Sequence, residues 1–380
     1  MSIIKKITAA NLMFLFVFFG LLNFKCTKPQ TEIQIGLVSA LTGPVAPYGT
    51  NVRDGCMMAV EEINDKGGIN GKKIKLIIED EESSPQKAVT AVQKLITINK
   101  VEVIIGPVIS SGFLAAAPIA EENKVVLFSP TGMADNIRDA GDFIFRNRTS
   151  ASQEAGALAR YIMEETQLQR FGIIRANSDY AVSFAKVCQE VIAQKNGTIL
   201  IEESFEQGAS DFRTQLTKIK NANPDALIVI GVPIELGKML KQIKELGITK
   251  PLFSNSIDSP QIFELAAGAE EGLIFSTTFY EPAAGDERLK TFDKKFQEKF
   301  KRSSHFFAAN AYDAVYILKE VIQVHGYSGE KIKDGLYTLK NFYGVIGVVE
   351  FDEKGDLKYP NTVIKQITNG KFKIIKRYNQ

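Results

Sequence analysis

Short runs of aliphatic and β-branched residues recur along this chain, separated by longer stretches whose apolar positions return every three or four residues. Runs of the first kind read as strands buried on both faces, and the longer stretches as amphipathic helices. The unit is plainest at residues 101–133, VEVIIGPVISSGFLAAAPIAEENKVVLFSPTGM. A strand over 101–105 is ended by Gly106-Pro107, and Ser110-Ser111-Gly112 opens a helix that runs to 120. A second strand over 125–128 brings Ser129-Pro130-Thr131-Gly132 to the same sheet edge. Serine at a helix start caps free backbone N–H groups, and those N–H groups also suit an anion. In an open parallel sheet, ligands bind just beyond the C-terminal ends of strands. Two hydroxyl-rich loops side by side there predict a site for a small polar group such as a carboxylate.

The same alternation runs in both directions. Upstream, the pattern predicts a strand over 33–38, a loop SALTGPVAPYGTN, a helix over 52–65, a strand over 74–78 and a helix over 85–99. Downstream, helices over 151–165, 182–194, 212–220 and 234–246 alternate with strands over 170–175, 198–204, 226–230 and 251–254. The loop Asn255-Ser256-Ile257-Asp258, a helix to 267 and a strand over 273–275 complete that series. Strand–helix alternation specifies a parallel sheet with helices on both faces, so the fold class is α/β with two doubly wound, Rossmann-like units. The tail breaks the rhythm. Helices near 287–300, 308–324 and 331–339 have no strands between them, and strands follow around 345–351 and 362–368. Asn369-Gly370 then turns a hairpin into a strand over 372–376. Such helices cover sheets already built.

Composition narrows the function. At 380 residues the chain is too long for a single compact core and suits two domains. A net charge of +2 and the lack of a dense basic stripe argue against nucleic acid. His305 and His325 are the only histidines, neither has an acid beside it in sequence, and no nucleophile, zinc or dinucleotide motif is present. An enzyme, a metal site and a cofactor are therefore not expected. The string GGINGKK lies between helix and strand and lacks a Lys-Ser/Thr ending, so it reads as a helix stop and a turn. Cys56 and Cys188 occupy apolar positions of helical stretches and read as buried free thiols. Phe306 and Phe307 read as core, Phe279 and Tyr280 as residues near a crossover, and the basic run from Lys294 to Arg302 as a solvated helix face.

The first 26 residues stand apart: Lys5 and Lys6 precede an apolar run over 7–22 that is short for a membrane span. That is the pattern of a secretory signal, followed by Cys26 and a polar tether over 27–31. Cys26 resembles the lipidated cysteine of bacterial lipoproteins, although Asn23, Phe24 and Lys25 depart from the usual residues before it. The expectation is an exported protein, periplasmic or in the cell envelope, anchored through a lipid on Cys26.

LTGPVAPYG, VEEINDKGGINGKKIKL, VIIGPVISSG and LFSPTG, followed by DFRTQLTKIKNANPDALIV, IKELGI, AANAYDAV and GVIGVVEFDEKGDL, occur in the order of a known family. Over residues 32–380 the chain resembles the periplasmic leucine/isoleucine/valine-binding proteins, type I solute-binding proteins of ABC transporters. The resemblance implies two lobes joined by three crossover strands, closing on a ligand like a flytrap. It places residues 32–150 plus 279–360 in lobe 1 and 151–278 plus 361–380 in lobe 2. It implies capture of an amino acid of aliphatic, branched-chain type by a monomer that delivers it to a membrane permease. A ligand-sensing role on a signalling receptor, for a small carboxylate or amide without an ammonium, is the alternative.

The resemblance also assigns roles. Tyr48 packs on the ligand side chain, Ile109 lines the pocket, and Ser110, with Ser111 beside it, holds the ligand carboxylate. Thr131 offers a carbonyl to the ammonium, Gly132 belongs to the same loop, and Tyr180 closes from the second lobe. The sequence departs from the family at three places. Met133 stands where a threonine donates to the carboxylate, leaving its backbone N–H; an aromatic is replaced near Val232; and the acid that pairs the ammonium falls on Asn255, with Asp258 as its substitute.

Overall fold

The computed structural model of the protein describes residues 32–378. The leader over 1–26, Cys26 and the tether over 27–31 lie outside the described residues, among which no helix is long and apolar enough to cross a membrane.

Five parallel strands form the first sheet: β1 (Glu32–Ser39), β2 (Lys73–Asp80), β3 (Val103–Ile105), β4 (Val126–Ser129) and β5 (Ile144–Arg146), in spatial order β2-β1-β3-β4-β5. Helices α1 (Ala46–Asp65), α2 (Pro85–Thr97) and α3 (Ser110–Glu122) connect the first four strands. In the second sheet, β6 (Arg170–Ala176), β7 (Thr198–Phe205), β8 (Ala226–Ile230), β9 (Leu252–Ser254) and β10 (Ile274–Thr278) repeat that order, running β10-β9-β8-β6-β7. Helices α4 (Ala151–Glu165), α5 (Asp179–Gln194), α6 (Arg213–Ala222), α7 (Pro233–Glu245) and α8 (Gln261–Ala266) belong to this half. The antiparallel pair β13 (Thr362–Thr368) and β14 (Lys371–Tyr378) extends its β10 edge. Each sheet reverses strand order once, between β1 and β3 and between β6 and β8, and ligands bind at such switch points.

The tail helices α9 (Glu287–Phe300), α10 (Phe306–His325) and α11 (Gly329–Thr338) return to the first sheet, sharing one core with β1 and α1. α10 lies so close on α1 that a Cβ on Gly55 would fall 2.1 Å from the Ala308 carbonyl oxygen. Cys56 and Cys188 are buried and free, each in the core of a different half.

Three local readings differ from the structure. Helix α1 begins at Ala46, not 52, because Pro47 falls in the first turn, where its missing N–H costs nothing. The strand expected around 345–351 is a tight hairpin of β11 (Phe342–Gly344) and β12 (Gly347–Val349), whose turn donates the Val345 N–H to buried Asp313 at 2.8 Å. The basic run of α9 is only partly solvated: Lys295 pairs with Glu62 at 2.9 Å and Arg302 with Asp54 at 2.6 Å, tying the tail to α1.

Candidate binding cleft

A cavity of about 110 Å³ lies between the C-terminal strand ends of the two sheets. The first sheet contributes the loops after β1, β3 and β4, and the second those after β6, β7, β8 and β9.

On the first side, Ile109 is the N-cap of α3, so Ser110 and Ser111 form its first turn and its free N–H groups point toward the cleft end of the sheet. Below them Glu81 is buried, and its Oε1 accepts the Val108 N–H at 2.8 Å. Burial pushes the Glu81 carboxyl up to about 8, against two backbone N–H groups that pull it down. The Ser110 hydroxyl accepts from the Met133 N–H at 3.0 Å and the Ala134 N–H at 3.2 Å. The Met133 N–H, which the resemblance leaves for a ligand carboxylate, is thus already used. Ser110 retains its own hydroxyl proton for donation. Thr131 gives its hydroxyl proton to the Val108 carbonyl at 2.7 Å. Gly132 does not line the cavity; its N–H goes to the Ser129 hydroxyl at 2.7 Å.

Tyr48 sits in the first turn of α1, edge-on to Phe307 with ring centroids 4.8 Å apart. His305, the N-cap of α10, stacks beside it at 6.2 Å. Phe306 and Phe307 line the cavity as well as the core, so reading them as core alone is incomplete. His305 is not isolated from acids either, since the chain brings it to Asp258. Burial outweighs that acid and lowers the imidazole to about 4, so it is neutral at pH 7.

From the second side, Ser178 caps α5 and sets Tyr180 in its first turn, with the hydroxyl buried and unpartnered. Val232 and Glu235 come from the start of α7, where Glu235 accepts the Val232 N–H at 3.1 Å and the Gly208 N–H at 2.7 Å. Asn255 lines the cavity but is fully engaged: its Oδ1 accepts the Gly231 N–H at 3.0 Å and its Nδ2 donates to the Gly231 carbonyl at 2.9 Å. Asp258 is held by Ser256 at 3.0 Å, Thr277 at 3.1 Å and Lys365 at 3.4 Å. Burial alone would raise its carboxyl, but Lys365, then His305 and the Ser256 hydroxyl, hold it below the usual carboxylate range. Of the two candidates for an ammonium partner, only Asp258 carries a charge.

Sequence reasoning missed Arg148, on the first crossover between the sheets. It pairs with Glu154 at 2.7 Å, donates to Thr278, and lies over Phe306 at 4.7 Å. Its one signal was an arginine caught between a buried strand and a capped helix.

Tyr48, Ile109, Ser110, Ser111, Thr131, Met133, Tyr180, Asn255 and Asp258 therefore meet around one cavity. Residues 32–370 match the family described as periplasmic binding protein. The leucine-, isoleucine-, valine-, threonine- and alanine-binding protein of Pseudomonas aeruginosa is 28% identical over 329 residues, 86% of this chain and 87% of that one. A leucine binding protein from Thermotoga maritima superposes with a TM-score of 0.85 at 27% identity, covering 91% of this chain and 99% of that chain. A branched-chain amino acid transporter substrate binding protein from Streptococcus pneumoniae, solved in complex with isoleucine, gives 0.84 at 29% identity, covering 91% and 100%.

Proposed function

We propose that this chain, a member of the periplasmic binding protein family, captures a free amino acid between its two sheets and delivers it to the permease of an ABC transporter. The observation that carries the reading is the meeting of Ser110 and Ser111 from the first sheet with Tyr180 and Asp258 from the second around one cavity. The relatives supply the class: one protein it resembles is named for binding leucine, isoleucine, valine, threonine and alanine, and another for binding leucine.

In this reading the α-carboxylate sits at the first turn of α3, where unpaired N–H groups, the Ser110 and Ser111 hydroxyls and the helix dipole favour an anion. The ammonium faces Asp258, whose charge is kept by its three donors. The side chain lies against Tyr48, Ile109 and Phe307. Because the donors come from two sheets, only approach of the halves completes the shell, and closure then excludes water and stores the bound state for the permease. The protein works as an exported monomer, with a signal segment over residues 1–26 that ends on Cys26, the residue kept as its lipid anchor. It performs no chemistry on the solute.

Titration calorimetry of the purified protein against the common amino acids tests this. Saturable heat with at least one is expected. Absence of heat with every member of the panel would overturn the amino-acid reading.

A further inference from the structure

Three successive backbone N–H groups, of Met133, Ala134 and Asp135, are held by side-chain hydroxyls, but not all by the same one. Ser110 takes the first two from the first sheet, at 3.0 and 3.2 Å. The third goes to Ser183, at 3.2 Å, in α5 of the second half. Asp135 opens a 3-10 turn over Asp135–Asp139, so its N–H has no partner within that turn. Ser183 therefore does for this turn what a serine at a helix start does for its own helix, but from across the cleft.

The same loop touches the second half elsewhere, and the places differ. The Ala151 N–H donates to the Met133 carbonyl at 2.7 Å, and the Ser152 N–H to Asp135 Oδ1 at 3.0 Å. Both donors sit where the crossover runs into α4, and hinged halves move least at their crossovers. Ser183 lies instead one turn after Tyr180 on α5, and residues three apart share a helix face. The face of α5 that brings Tyr180 to the cavity is thus the face tied to the loop that Ser110 holds. α3 and α5 also touch, so the tie lies within a contact between the halves.

We propose that Ser183 is a positioning residue for solute capture: its bond with the Asp135 N–H forms as the halves close and keeps the Tyr180 ring over the solute. Ser183 is not among the residues lining the cavity, so it acts through Tyr180 and not by touching the solute. The bond belongs to the closed arrangement, so its loss speeds release and leaves the first encounter unchanged. This rests on the amino-acid reading of the cavity and adds to it the residue that holds the cover down.

The test is the release of a radiolabelled amino acid, the member of the calorimetric panel that the wild type binds tightest, chased with an excess of the unlabelled compound. It is measured in the wild type, Ser183→Ala, Tyr180→Ala and the double variant. Ser183→Ala is expected to release the label about three- to tenfold faster, the worth of one hydrogen bond. Its association rate should match the wild type, and the melting temperature of the unliganded variant should be no lower. The effect of Ser183→Ala should shrink when Tyr180 is already alanine, because both changes then act on one step. Wild-type release in Ser183→Ala, an equal effect with and without the Tyr180 ring, or a lowered melting temperature of the unliganded variant overturns the proposal and leaves the amino-acid reading standing. No binding of any amino acid by the wild type overturns both.

Discussion

Lys365 reaches Asp258 across 3.4 Å with both side chains almost wholly buried, so a strand of the C-terminal hairpin supplies the counter-charge for the acid at the cleft. Breaking one half of a buried pair leaves an uncompensated charge, at about 3 kcal/mol or more. Lys365→Met is therefore expected to lower unfolding free energy by about that amount, measured by urea denaturation. The double variant with Asp258→Asn should recover most of it, while losing affinity for an ammonium-bearing solute. Equal stability of Lys365→Met and the wild type would remove the pair from the account.

Glu81 predicts a pH dependence with a definite sign. Its folded-state carboxyl is raised from 4.5 to about 8, so the stability it contributes is full below its ordinary value and is lost as pH rises through about 8. Glu154 and Asp313, each raised to about 7 by burial, act in the same direction, so a variant is needed to isolate Glu81. Glu81→Gln keeps an oxygen for the Val108 N–H. Its melting temperature should gain on the wild type as pH is raised from about 5 to about 9, and parallel curves would contradict the assignment.

The two buried thiols offer a simpler check. Burial pushes both Cys56 and Cys188 far above the ordinary thiol range, and they sit in separate cores. Neither should react with a thiol reagent in the native protein, and both should react after denaturation. Rapid native labelling at either position would mean that its core opens.

Much of this molecule was legible in its pattern of apolar runs. The alternation of buried strands with amphipathic helices fixed both parallel sheets, and Asn369-Gly370 marked the hairpin of β13 and β14. Positions just after strands gave Ser110, Thr131 and Tyr180. Asn255 and Asp258 were found by resemblance, but their difference was not: one amide closes on Gly231 while the other side chain keeps a charge. Arg148, His305 and the phenylalanines after it escaped because nothing local distinguishes a cleft residue from a core residue. Their place depends on α10 returning over α1 from about 250 residues away, as the Cys56 contact with Ala311 shows. Helix starts were also blurred where proline falls in a first turn, as at Pro47.

The central claim is that one solute is gripped from both sheets at once. Its most direct test is the affinity for the tightest-binding amino acid in the wild type, in Ser110→Ala and in Tyr180→Ala, each confirmed as folded. Loss of a hydrogen bond to a charged carboxylate, and loss of the covering ring, should each weaken binding by about tenfold or more. An affinity unchanged in either variant would mean that one sheet alone holds the solute, and would contradict the account.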